Sequence, residues 1–187
     1  MQPQLAAIVL QFELAQVRLH ELVADTPEER WNARPDPARW SVAECVGHLN
    51  LTAQAYIPML RDAFSDSRFA GVAAPGMYRR DAMGWILSMS VGPMPRLGRL
   101  RFGRMKTIPA FIPNGLLERA ATVAEFDRLH AELMDLSRAA EGKPLEAMRI
   151  VSPFNSRISY NAYSALVILP RHEQRHLWQA EHVWDEH

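Results

Sequence analysis

His172 and His176 lie four residues apart in Pro170-Arg171-His172-Glu173-Gln174-Arg175-His176-Leu177-Trp178-Gln179, and His48 lies far upstream in Trp40-Ser41-Val42-Ala43-Glu44-Cys45-Val46-Gly47-His48-Leu49. Residues four apart on an α-helix share a face one turn apart, so two imidazoles at that spacing can aim at one point. A second helix that brings His48 to the same point completes a three-nitrogen set with open positions, as in catalytic rather than structural zinc sites. The chemistry expected of His48, His172 and His176 is therefore that of a bound divalent cation. Spacing alone leaves a second reading open, in which the pair are core histidines bonded to carboxylates or backbone carbonyls.

The surroundings bear on that choice. Leu166, Leu169, Leu177 and Ala180 mark a buried stripe at helical steps, so both histidines lean toward the interior. Buried imidazoles side by side suffer desolvation or, once charged, repulsion. A cation between them removes that cost. His130, four residues after Phe126 and four before Met134, also leans inward; it is a core residue, a fourth ligand or a proton-transfer group. Glu44 is the acid of a capping box and is given no ligand role, contact with a ligand's outer nitrogen being the most it is allowed. Glu173 is given no protease-type base role, and no catalytic residue or general base is named. His20, His182 and His187 have no comparable case.

Three imidazoles disfavour oxygen-seeking cations such as calcium and leave zinc, nickel, iron, copper and manganese open, with zinc the default and nickel acceptable. Cys45 is the only cysteine, so a disulfide framework and a thiolate-rich zinc site are excluded. Its position three residues before His48 allows a nucleophile, although a small buried thiol is the expected role. No phosphate-cradling loop, nucleophile elbow or dinucleotide fingerprint occurs.

The elements that must position these residues are helical. Apolar residues from Leu5 to Leu22 recur at three- and four-residue steps and predict a first helix over 5–23. Pro27, Glu28 and Glu29 start a short turn that Pro35 and Pro37 end. Ser41 with Glu44 opens a second long helix through His48 to about residue 63, kinked at Pro58. A loop follows over 65–76, then a short helix over 78–90. Thr122 with Glu125 repeats the capping pattern and opens a third long helix that ends near Ala140, where Gly142 and Pro144 stop it. A linker through Ser152-Pro153-Phe154-Asn155 leads to a last helix over 161–184. These four helices predict an all-α four-helix bundle, a fold that houses metals between facing helices, as one domain over 1–187 with an irregular insert between the second and third long helices.

The insert, 92–115, is rich in Gly and Pro and carries Arg96, Arg99, Arg101, Arg104 and Lys106, with no acid between Asp81 and Glu118. It is either a solvated surface or a receiver of anionic substrate. The whole chain balances 21 basic with 21 acidic groups, which gives no field for nucleic acid or an anionic membrane. No apolar stretch is long enough for a membrane span, and the first residues lack the pattern of a signal peptide. The expectation is a soluble cytoplasmic protein with a small-molecule substrate.

Trp40-Ser41-x-x-Glu44-x-x-x-His48-Leu49 and His172-x-x-x-His176-x-x-Gln179 resemble the second-helix and last-helix motifs of the DinB-like superfamily, and Ser152-Pro153-Phe154 with Arg175-His176-Leu177-Trp178-Gln179 resembles its DinB_2 branch. The resemblance implies a divalent metal on His48, His172 and His176 with water completing the shell. It also implies a function among thiol S-transferases, a thiol-dependent isomerase and metal-dependent hydrolases, with a low-molecular-weight thiol as a second cofactor in the transferase case. Homodimers are frequent in the superfamily. A metal that merely clamps two helices is the alternative. Pro170, just before the ligand pair, and the basic insert depart from the family pattern.

Overall fold

A computed structural model of the chain describes residues 1–92 and 107–185. Arg96, Arg99, Arg101, Arg104 and Lys106 of the basic insert, and His187, lie outside the described residues. The described chain is mostly helical: α1 (Pro3–Asp25), α2 (Glu28–Trp31), α3 (Val42–Ser65), α4 (Ala82–Val91), α5 (Arg119–Ala139) and α6 (Ala162–Glu181). None of these helices is long and apolar enough to cross a membrane.

Helix starts follow the chemistry of their first residues. At α3 both halves of the capping box form: the Glu44 N–H donates to Ser41 Oγ at 3.1 Å and the Ser41 N–H to Glu44 Oε2 at 2.9 Å. Asn161 caps α6 by accepting from the Ser164 N–H, and Asp81 caps α4 by accepting from the Gly84 N–H. α5 begins earlier than Thr122 and Glu125 suggest. Glu118 is its cap, its carboxylate accepting from the N–H groups of Ala120 and Ala121, while the Thr122 hydroxyl donates to the Glu118 carbonyl inside the helix. Both α3 and α6 run on through a proline, Pro58 and Pro170.

One expectation over 152–155 is corrected. The segment read as a linker is an antiparallel hairpin, β1 (Arg149–Ser152) with β2 (Asn155–Asn161), pairing Arg149 with Asn161, Ile150 with Tyr160 and Val151 with Ser159. Ile150 and Ser152 are buried and their neighbours exposed, the two-residue alternation of a strand with one face on the core. The hairpin delivers the chain directly into α6.

α1 and α3 each pack against both α5 and α6, and α4 lies against α6. Two apolar clusters form the interior. One holds Leu5, Phe12, Leu60, Leu133, Tyr160 and Leu166; the other holds Leu19, Trp31, Val46, Phe126 and Leu177. Each fully buried large side chain stabilises by about 1.5–3 kcal/mol relative to exposure. His48, His130 and Glu173 fall near the junction of the two clusters, between Val46 and Ala53 on α3, Phe126 and Leu133 on α5, and Leu169 and Leu177 on α6. A layer of titratable side chains thus interrupts the apolar interior.

Candidate metal centre

His48 enters the interior from α3 and is 2% exposed. Its Nδ1 lies 2.8 Å from the carbonyl oxygen of Phe111. A carbonyl only accepts, so Nδ1 carries the proton and Nε2 keeps a lone pair. The Phe111 carbonyl is held in place by its own segment. Trp31 Nε1 and Asn32 Nδ2 both donate to the Leu117 carbonyl at 2.9 Å, and the Leu117 N–H returns a bond to Asn32 Oδ1. Gly47 lets that segment close on α3, since a Cβ there would stand 2.6 Å from Leu117 Cδ1 and 3.0 Å from Pro113 Cγ.

His172 and His176 reach the same point from α6. The Nε2 atoms of His48 and His172 are 3.3 Å apart, and one ring nitrogen of each of His48, His172 and His176 lies within 4.8 Å of the others. Ring centroids are 4.5 Å apart for His48 with His176 and for His172 with His176. Two nitrogens on a tetrahedral zinc, each about 2.0–2.1 Å from the ion, stand about 3.3 Å apart, so the His48 to His172 separation fits a shared cation. Nδ1 of His172 and of His176 is buried without a hydrogen-bond partner.

The electrostatics keep all three rings neutral. Burial pushes His48 below the usual histidine value, although its bond to the Phe111 carbonyl works the other way. His172 and His176 are held well below that value, first by burial, then by the neighbouring imidazoles and the charge of Arg175. Neutral imidazole is the form that coordinates a metal. The donor set therefore fits a divalent cation in residue type, protonation and convergence.

Aromatic rings wall the trio. Trp40 stacks on His176 with centroids 6.0 Å apart and tilts against His48 at 5.1 Å. Phe111 and Phe154 lie 4.2 Å apart and flank His48, and Phe154 also approaches His172. Phe154 sits at the turn of the hairpin. Spacing alone gave Phe154, Arg175 and the Phe111 carbonyl no place at the site, although Phe154, Arg175 and Trp40 stand in the motifs that carry the family resemblance.

The other candidates separate cleanly. Glu44 is tied to Arg34, whose Nε donates to Oε2 at 2.7 Å and whose Nη2 also donates, and to Ser41. Burial would raise its carboxyl, but Arg34 and Ser41 outweigh burial and hold it low. Cys45 is fully buried and burial drives its thiol far up, so it is a packed apolar group and no nucleophile. His130 stays outside the trio. Its Nδ1 donates to the Phe126 carbonyl, its ring stacks on Phe126, and its Nε2 lies 3.1 Å from Glu173 Oε2. Burial lowers His130 while Glu173 raises it, and the net direction is up.

Glu173 needs a correction. His172-Glu173-Gln174-Arg175-His176 does satisfy the His-Glu-x-x-His spacing of zinc proteases, so sequence gives no ground for withholding the base role. The ground is structural: the 3% exposed Glu173 carboxylate is paired with His130 on α5 and contributes no oxygen to the trio. His20 pairs with Asp127 at the surface and His182 bonds to the Trp178 carbonyl, both apart from the trio.

The family model described as the DinB superfamily matches residues 11–180 of the chain. No curated protein and no solved structure matches it.

Proposed function

The chain belongs to the DinB superfamily, and from that premise we propose that it is a single-domain, four-helix DinB-like enzyme over 1–187 whose His48, His172 and His176 hold one divalent cation, zinc or nickel. The observation that carries this is the convergence of one ring nitrogen from each of His48, His172 and His176, on α3 and α6, within 4.8 Å of one another, with His48 Nε2 and His172 Nε2 3.3 Å apart. The reaction is S-transfer from a low-molecular-weight thiol to a small electrophile, or hydrolysis of a small molecule at the same residues. When bound, the cation lowers the pKa of a thiol or water at its open position and so provides a nucleophile at neutral pH. Phe111 holds the proton on Nδ1 of His48 so that Nε2 faces inward. Trp40, Phe111 and Phe154 shield the trio from bulk water and leave an apolar wall for the body of the substrate. The protein works in the cytoplasm as a homodimer.

Metal analysis of protein purified without added metal gives about one cation per chain, lost in His176→Ala. Metal-dependent consumption of a small thiol in the presence of an electrophile, absent in His176→Ala, selects the transferase; metal-dependent ester or amide cleavage selects the hydrolase. A second reading is a structural clamp, favoured by the fact that the trio joins α3 to α6. It gains if chelation lowers the melting temperature and neither chemistry is found. Metal-free protein with unchanged stability in chelator overturns both.

A further inference from the structure

α4 is built inside out for a helix on the surface of a single chain. The residues it buries are small, Gly84 and Ser88, while Trp85, Ile86 and Met89 are each more than half exposed and Met83 is exposed beside them. Ala82, Trp85, Ile86 and Met89 follow one another at steps of three, one and three, so they share one face of the helix. The small residues have a packing reason. A Cβ on Gly84 would stand 2.0 Å from Ser164 Oγ, so its absence lets α4 lie close against α6. Nothing in that contact calls for large apolar side chains on the far face. The helix is also anchored at both ends: Asp81 caps its start and accepts from Arg149 and Ser164, and Arg171 Nε donates to the Ser88 carbonyl at 2.6 Å. Trp85, Ile86 and Met89 are thus presented on a fixed support.

Area and charge point to a second copy of this chain as what covers them. Trp85, Ile86, Met89 and Met83 leave on the order of 400 Å² of side chain open to water, the size of patch that marks an interaction site. Two copies supply about 800 Å², which matches the nonpolar share of a standard-size protein interface. α4 carries no charged residue from Ala82 to Val91, so laying the face on its own copy brings no like charges together. A self-complementary two-fold contact has to meet that condition. α1 also exposes Leu10, Leu14 and Val17, but that stripe is smaller and is interleaved with Glu13 and Arg18, which pair with Arg138 and Glu181. We propose that the exposed face of α4 is the surface through which two copies of this chain form a two-fold dimer, with Trp85 and Ile86 at its centre. This rests on the homodimer reading given above and assigns its interface.

Sedimentation of the full chain over a concentration series tests it. Trp85→Glu and Ile86→Glu are each expected to weaken self-association by about thirtyfold or more, the scale of an interface hot spot, while Leu14→Glu on α1 leaves it unchanged. Circular dichroism of the separated chains stays native, because both side chains are exposed in one copy. Ile86→Cys gives a second measurement that needs no loss of stability: its thiol lies near its own counterpart across the two-fold axis and forms a covalent dimer on mild oxidation, whereas Leu14→Cys does not. Cys45 is fully buried and stays out of that reaction. A native dimer that survives both α4 substitutions, or that Leu14→Glu dissociates, overturns this interface and leaves the homodimer reading intact. A native chain that is monomeric throughout the series overturns both, and the rate at which a maleimide then labels the Ile86→Cys thiol shows whether another part of the chain covers the face or it stands open.

Discussion

Two neighbouring groups of inward-facing histidine meet opposite fates in this molecule. His130 has a carboxylate 3.1 Å away and its pKa is raised; His48, His172 and His176 cluster with no carboxylate among the described residues and theirs are lowered. Both arrangements draw on the same turn of α6, since Glu173 serves the first and His172 the second. Successive helical residues point about 100° apart, so adjacent positions can serve different layers of the interior. The pair with the carboxylate is an ion pair inside the core. The trio is a set of three imidazoles that could hold a cation, and that difference is what the metal reading rests on.

The largest test of the contrast is metal binding. His48→Ala or His176→Ala should reduce metal affinity by about a hundredfold or more, while His130→Phe leaves metal content at one per chain, as measured by equilibrium dialysis. Next in size is the core pair. Glu173→Ala strands His130 and should destabilise the fold by about 3–5 kcal/mol in denaturant titration, whereas His48→Ala in metal-free protein removes a desolvated ring and costs less.

Opposite pKa directions give opposite pH slopes. The trio resists protonation in the fold but titrates near 6.5 when unfolded, so below that value the unfolded chain binds more protons and metal-free stability drops as the pH is lowered, by about 1.4 kcal/mol per pH unit for each ring involved. His130 contributes stability that is full below 6.5 and disappears as pH rises through its elevated folded value. Melting temperatures against pH, for native chain, His130→Phe and His176→Ala, separate the two slopes; a shared slope would erase the distinction.

Smaller effects sharpen the same comparison. Gly47→Ala pushes on Leu117 and Pro113 and should cost about 1–3 kcal/mol, with weaker metal binding because the segment bearing the Phe111 carbonyl is displaced. Arg34→Ala removes a half-exposed partner of Glu44, whose capping bonds to Ser41 remain, and should change stability by under about 1 kcal/mol with metal content unchanged.

How far these features were legible depends on whether local residues decide them. Ser41 with Glu44 and the His172/His176 spacing are local and appear in the structure as their residues suggest, and α1 forms where its apolar steps place it although Leu14 and Val17 of that stripe face solvent. The hairpin was hidden because β1 is only four residues long and β2 is built of Asn, Ser and Arg with apolar residues near its end. The start of α5 was misplaced because Thr122-x-x-Glu125 imitates a cap. Glu118 prevails by accepting from two free N–H groups, and Glu125 turns to Arg128 and Gln54 instead. The Phe111 carbonyl and Phe154 come from segments distant in sequence, so only packing could bring them to His48.

The pairing of Glu173 with His130 acts as a rotational index for α6. A roll of α6 about its own axis would pull the Glu173 carboxylate away from His130 and shift His172 and His176 relative to His48. The aim of the trio is thus steadied from a neighbouring position on the helix that bears it.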